Sequence, residues 1–132
     1  MSEKTFHVQV LTPNGSLFDG DAISVVVPGS EGSFEMLYNH ASIVSTLGLG
    51  KVVVKKEDNT NLIYAVNGGF VEMNDNKVTL LAEDATESSE IDVDNAREAI
   101  ELAKEKLKEI TAGREEVEKE LEVAKNLLKT AG

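Results

Sequence analysis

The strongest constraint in this sequence is a change of hydrophobic period along the chain. Up to about residue 84 the apolar residues recur every second position, and beyond residue 91 they recur every third or fourth. A period of two describes half-buried strands, and a period near 3.6 describes amphipathic helices. In the first half Phe6, Val8 and Val10 alternate with Thr5, His7 and Gln9. Pro13-Asn14-Gly15 then reads as a turn, followed by strands over 22–27, 51–57, 62–66, 70–73 and 77–82. Between them stand Pro28-Gly29, Asp58-Asn59-Thr60, Asn67-Gly68-Gly69 and Asn74-Asp75-Asn76. Short strands with turn signals this regular predict an antiparallel sandwich or barrel, and no helix-length segment interrupts them to make a parallel crossover.

Several strands are apolar on both faces. Leu62, Tyr64 and Val66 share one side and Ile63 and Ala65 the other, while Val78 and Leu80 are backed by Leu81. One face fills the sandwich core, so the second is expected to meet the rest of this chain or another protein.

Asp84 to Glu90 is polar and reads as a linker. Val93, Ala96, Ile100, Ala103, Leu107 and Ile110 then trace one helical stripe, and Val117, Leu121, Ala124 and Leu128 a second. Asp92 is placed to cap the first helix and Gly113 to break it from the second. So short a connection predicts an antiparallel hairpin. Its seam is narrow and rich in Ala, which makes the isolated hairpin marginal. It is expected to dock on the sandwich or on a partner, and to be able to undock. The expected division is a β-sandwich over residues 1–86 and a helical hairpin over 87–132.

Composition removes several functions. With 24 acidic and 13 basic side chains the net charge is −11, which disfavours nucleic acid and anionic lipid surfaces as partners. There is no Cys, hence no thiol catalysis or thiolate metal site, and His7 and His40 are too few for a His-built metal centre. No Ser/His/Asp grouping is spaced for a nucleophile, so neither catalytic nor metal-binding residues are assigned. The start of the chain carries no apolar stretch of signal-peptide type. No aliphatic run approaches the ~20 residues of a spanning helix. A cytosol-like compartment without direct membrane insertion is expected.

Three segments carry a resemblance. Val27-Pro28-Gly29-Ser30-Glu31-Gly32 with His40-Ala41, Val66-Asn67-Gly68-Gly69-Phe70-Val71-Glu72, and Leu80-Leu81-Ala82-Glu83 followed by Glu90-Ile91-Asp92 together resemble the epsilon subunit of the F-type ATP synthase. The resemblance spans essentially the whole chain. It implies a flattened sandwich of about ten strands followed by a two-helix hairpin, in a non-catalytic rotor subunit. The implied partners are the gamma subunit, the ring of c subunits and, through the hairpin, the catalytic beta subunit. The implied location is peripheral, on the cytoplasmic face of a bacterial inner membrane ahead of a plastid thylakoid. Glu31 and His40 would lie in one loop at the foot of the sandwich, against the c ring. Members of the family usually carry Pro-Gly before this histidine, where this chain has Tyr38-Asn39. Asn accepts a left-handed backbone, so the turn is expected to persist.

Ile91, Asp92 and Ala96 match the motif Ile-Asp-x-x-Arg-Ala by which some members bind ATP, but Asn95 occupies the arginine position. Arg97 lies about 200° away round the helix. Phosphate recognition favours clustered or bidentate cations, so weak ATP binding or none is expected, and no cofactor is assigned. The alternative function is an ATP-sensing module on the same fold. Gly68-Gly69 is no phosphate loop, since no Gly-x-Gly-x-x-Gly or following Lys accompanies it, and it reads as a hairpin turn. In the second helix Lys125 and Lys129 form a small basic patch, the remaining candidate for contact with the beta subunit. It stands beside Glu115, Glu116, Glu118, Glu120 and Glu122, which predicts weak electrostatic inhibition of hydrolysis.

Overall fold

The computed structural model describes residues 4–131; Met1–Glu3, where the signal-peptide reading begins, and Gly132 lie outside it. Seven strands come first: β1 (Phe6–Thr12), β2 (Gly15–Gly29), β3 (Gly32–Leu37), β4 (Ile43–Lys56), β5 (Asn61–Asn74), β6 (Lys77–Ala82) and β7 (Ala85–Glu87). A short 3₁₀ turn, Ser88–Glu90, leads into α1 (Val93–Glu109) and α2 (Arg114–Ala131).

The strands form one continuous sheet in the order β1-β6-β5-β4-β2-β3, and a further β1–β2 ladder closes it on itself. Every ladder is antiparallel except β1–β6, which is parallel from His7↔Lys77 to Leu11↔Leu81. The expectation of purely antiparallel pairing is therefore corrected. The path between these two strands runs through β2–β5, so the parallel pair needs no local crossover helix. Closure brings Phe6, Val8 and Val10 against Val25, Val27, Val52, Val54, Tyr64, Met73, Val78 and Leu80 in one core.

The count of seven against about ten arises because three strands are long and bend from one layer of the flattened barrel to the other. β5 runs unbroken through Asn67-Gly68-Gly69, which is a corner inside a strand and not the hairpin turn expected. Its partner β4 starts at Ile43, eight residues before the predicted strand, and stays in register with β5 from Ile43↔Met73 to Lys55↔Asn61. Both strands exchange their inward positions at this corner. In β5 Tyr64 and Val66 face inward before it and Val71 and Met73 after it; in β4 the inward set is Leu47 and then Val52 and Val54. Two adjoining strands can shift phase together only by coiling sharply, and glycines sit at that point in both. Gly69 has φ +123°, and a Cβ there would overlap the Leu81 carbonyl oxygen. At Gly50 a Cβ would lie 2.6 Å from Pro28 Cβ.

The polar stretch after residue 84 is not an unstructured linker. Ala85–Glu87 pairs with Tyr64–Val66 and adds a short edge to β5. Asp92 caps α1 as expected, its carboxylate accepting from the Asn95 amide at 3.0 Å. Gly113 has φ +74° between the helices. The Arg114 guanidinium turns back to donate to the Leu107 and Ile110 carbonyls at 2.6 and 3.2 Å, closing the C-terminus of α1. Ala96, Ile100 and Ala103 pack with Val117 and Ala124 along the narrow seam. Among the described residues no helix is long and apolar enough to cross a membrane.

Candidate functional site

Two surfaces outside the core carry the chemistry of contact. The first is where the hairpin meets the barrel. Val123, Asn126 and Leu127 of α2 lie on Leu49 of β4 and Ala65 and Val66 of β5. Ala65 is 5% exposed yet belongs to no part of the barrel core, so it is the hairpin that covers it. This accounts for the second apolar face of that strand: at Ala65 its occupant is the rest of this chain. At the centre of the contact the Asn126 amide donates from Nδ2 to the Gly50 carbonyl at 2.9 Å and to the Val66 carbonyl at 3.5 Å. Gly50 and Val66 are paired across the β4–β5 ladder beside the corner.

On the neighbouring strand position Tyr64 points inward and is 2% exposed. Its hydroxyl donates to the Leu17 carbonyl at 3.4 Å. Burial, then the nearby charges of Glu87 and Glu90, push its pKa up to about 12.

The second surface is an open, mainly apolar groove of about 680 Å³ on the outer face of β4, β5 and β6, lined by Pro13, Val44, Phe70 and Leu81 with Thr46 and Glu83 at its margins. Val44 is 68% exposed and Phe70 41%, which is high for large apolar side chains on a sheet. They face outward because the corner reverses the inward set; Phe70 stands across the ladders from Thr46 and from Leu81. Sequence reading missed Val44 because the first half of β4 was not recognised as strand. Leu81, backing Val78 and Leu80, was the one available signal.

The predicted contact residues do not share a loop. Glu31 is exposed at the tight β2–β3 turn, where Gly29 pairs with Gly32, and its neighbour Ser30 donates its amide to the Thr46 carbonyl at 2.9 Å. Residues 32–37 are strand β3, roughly 20 Å of extended chain, and His40 lies past its far end. His40 is half-buried, its Nδ1 donating to the Ala41 carbonyl at 2.8 Å. Asn39 adopts φ +64°, the left-handed conformation expected, and its amide donates to Asn76 Oδ1 at 2.6 Å. This ties the His40 loop to the β5–β6 turn, which itself carries positive φ at Asp75 and Asn76. Ser42 makes a second tie, to Asn74 at 3.1 Å.

Ile91, Asp92 and Ala96 sit at the start of α1. The Asp92 carboxylate is engaged as the helix cap, and Ala96 is buried in the seam. Arg97 is exposed and pairs with Asp94 at 4.0 Å. On α2 Lys125 pairs with Glu122 at 3.7 Å, and Lys129 is exposed one turn further on. A separate shallow groove of about 480 Å³ runs between Asn67 and the hairpin, past Ala99, Lys119, Val123 and Leu127.

Known proteins share this sequence pattern and this fold. Residues 5–88 match the family described as ATP synthase, Delta/Epsilon chain, beta-sandwich domain. The ATP synthase epsilon chain of Salinibacter ruber is 43% identical over 110 residues, covering 77% of this chain and 74% of the relative. That of Alkalihalophilus pseudofirmus is 45% identical over 103 residues, covering 78% and 77%. Among solved structures, a chain of the Euglena gracilis mitochondrial ATP synthase (OSCP/F1/c-ring) superposes with a TM-score of 0.88 at 21% identity. It covers all of this chain and 84% of that one. A chain from the Tetrahymena thermophila mitochondrial ATP synthase central stalk and c-ring gives 0.69 at 14% identity, both chains fully covered. At those identities the likeness is one of fold: sandwich followed by two helices.

Proposed function

This chain belongs to the ATP synthase delta/epsilon family, as an epsilon chain, and from that premise we propose that it is a non-catalytic rotor subunit. Its barrel grips the gamma shaft and rests on the c-subunit ring, at the cytoplasmic face of a bacterial inner membrane. The observation that carries this reading is the exposed groove of Val44, Phe70, Leu81 and Pro13. Apolar side chains left open on a closed barrel suit a lasting protein interface, since burying them contributes about 25 cal/mol per Å². Glu31 and His40, at the two ends of β3, are the proposed ring contacts. The hairpin is regulatory. Docked, as here, it leaves the catalytic beta subunit alone; extended, Lys125 and Lys129 approach that subunit and restrain hydrolysis weakly.

The Asp92 cap and Asn95 argue against the ATP-sensing alternative. An Asp92 carboxylate already held by a backbone amide has to leave its cap before it can serve a ligand.

Co-purification with the gamma subunit tests the division of labour. The chain shortened after Glu87 is expected to retain gamma and the c ring, and Val44→Glu with Phe70→Glu is expected to lose gamma. Retention of gamma by the double variant, or loss of assembly on deleting the hairpin, overturns the reading.

A further inference from the structure

We propose that Asn126 is the latch that sets how often the hairpin leaves the barrel. The contact between α2 and the β4–β5 seam is small: Val123, Asn126 and Leu127 meet Leu49, Ala65 and Val66, with Asn67, Asp84 and Thr86 at its margin. Among the described residues no ion pair joins the hairpin to the barrel; the helix pairs, such as Lys106–Glu120 and Lys125–Glu122, stay within the hairpin. Both hydrogen-bond partners of the Asn126 amide are backbone carbonyls, which only accept, so it is Nδ2 that engages the seam. Its two N–H groups meet the two strands at residues paired with one another, so the latch engages the seam itself and not one flexible side chain. A partly buried amide also imposes position. Apolar contacts tolerate sliding along the seam, whereas one amide aimed at two fixed carbonyls has a single register.

The consequence is asymmetric. When α2 lifts away, Gly50 and Val66 keep their place in the β4–β5 ladder and Asn126 gains water, so opening leaves no buried polar group without a partner. When α2 is down but the amide is missing, the contact loses its two side-chain hydrogen bonds and its register. Asn126 therefore biases the docked state without being needed for the barrel to fold. This goes beyond the stalk assignment and is read on the isolated chain, without gamma or a c ring.

The chain contains no cysteine, so single thiols can be introduced and followed. Ala65→Cys places one under the hairpin and Ala82→Cys places one in the barrel core, at positions 5% and 2% exposed. Labelling by a thiol reagent under native conditions then reads undocking at residue 65 and barrel opening at residue 82. Adding Asn126→Ala is expected to speed labelling of Cys at 65 about fivefold, the ratio for loss of an ordinary hydrogen bond. The Ala82→Cys reference is expected to stay unchanged. Asn126→Asp, which sets a carboxylate against two carbonyl oxygens, is expected to act in the same direction and more strongly. Unchanged labelling at 65 in the Asn126→Ala chain overturns the latch. So does an equal acceleration at both positions, because the residue would then be supporting the whole barrel.

Discussion

Tyr64 joins the interior of the barrel to its edge through one hydroxyl. It is enclosed on the core side, donates to the Leu17 carbonyl, and stands across the ladder from Glu87. The neutral phenol is the form this setting favours, which is why its pKa rises to about 12 from an ordinary value of 10.0. In the unfolded chain the phenol ionises first. Between those values the unfolded state holds fewer protons than the folded one, so stability falls as pH rises from 10 towards 12 and is fully present below 10. The slope is at most about 1.4 kcal/mol per pH unit. Urea denaturation at pH 9 and pH 11 is expected to show this loss, and Tyr64→Phe to reduce it; an equal loss in both chains assigns it to other groups. Gly69 marks the limit of what sequence shows at this scale. The Asn67-Gly68-Gly69 run signals a positive φ, and both glycines have one, at +79° and +123°. What no local pattern shows is whether such residues end a strand or bend it. That depends on the facing strand, and here β4 continues beside them.

Among the elements, the helices were legible almost to the residue and the strands were not. The helical stripe is set by one chain against one seam, and its limits are marked by Asp92 and Gly113. The cap can be weighed directly. Asp92→Ala is expected to cost about 1 kcal/mol in the first turn of α1. That corresponds to roughly fivefold faster amide exchange at Asn95 and Ala96, with no change in the β1–β6 ladder. Exchange that stays slow at Asn95 would mean the turn is held by packing of Ala96 instead. β3 and the first half of β4 were obscure for a physical reason. In β3 the alternation is regular but short: Phe34 and Met36 face in while Ser33, Glu35 and Leu37 face out, so only two inward residues carry the signal. In β4 the exposed Val44 and the buried Leu47 belong to opposite sides of a strand about to change phase, which destroys alternation just where a strand reading would need it. The groove was missed for the same reason. The hairpin dock was half visible: Ala65 announced a second covered face, but nothing in the order of residues named Asn126 as the group that meets it.

At the scale of the whole molecule, charge and contact act in opposite directions. Residues 1–90 carry 5 basic and 13 acidic groups and residues 91–132 carry 8 and 11, so both parts of the chain are negative. Docking brings them together, and the described contact supplies apolar packing and the Asn126 amide in place of cross-bridging ion pairs. The electrostatic part of docking is therefore a net repulsion, opposed by burial of Ala65 beneath the half-buried Val123 and Leu127. Raising ionic strength from about 10 mM to about 150 mM shortens the screening length from roughly 30 Å to roughly 8 Å. Salt is then expected to hold the hairpin down, slowing thiol labelling of the Ala65→Cys chain while leaving Ala82→Cys as it was. The size is modest, about two- to threefold, because most of these charges are exposed and already well solvated. Labelling at residue 65 that speeds up with salt would require attraction between the two parts, and with it ion pairs across the seam. The sign of the salt effect separates a hairpin held by a latch against its own charge from one held by charge.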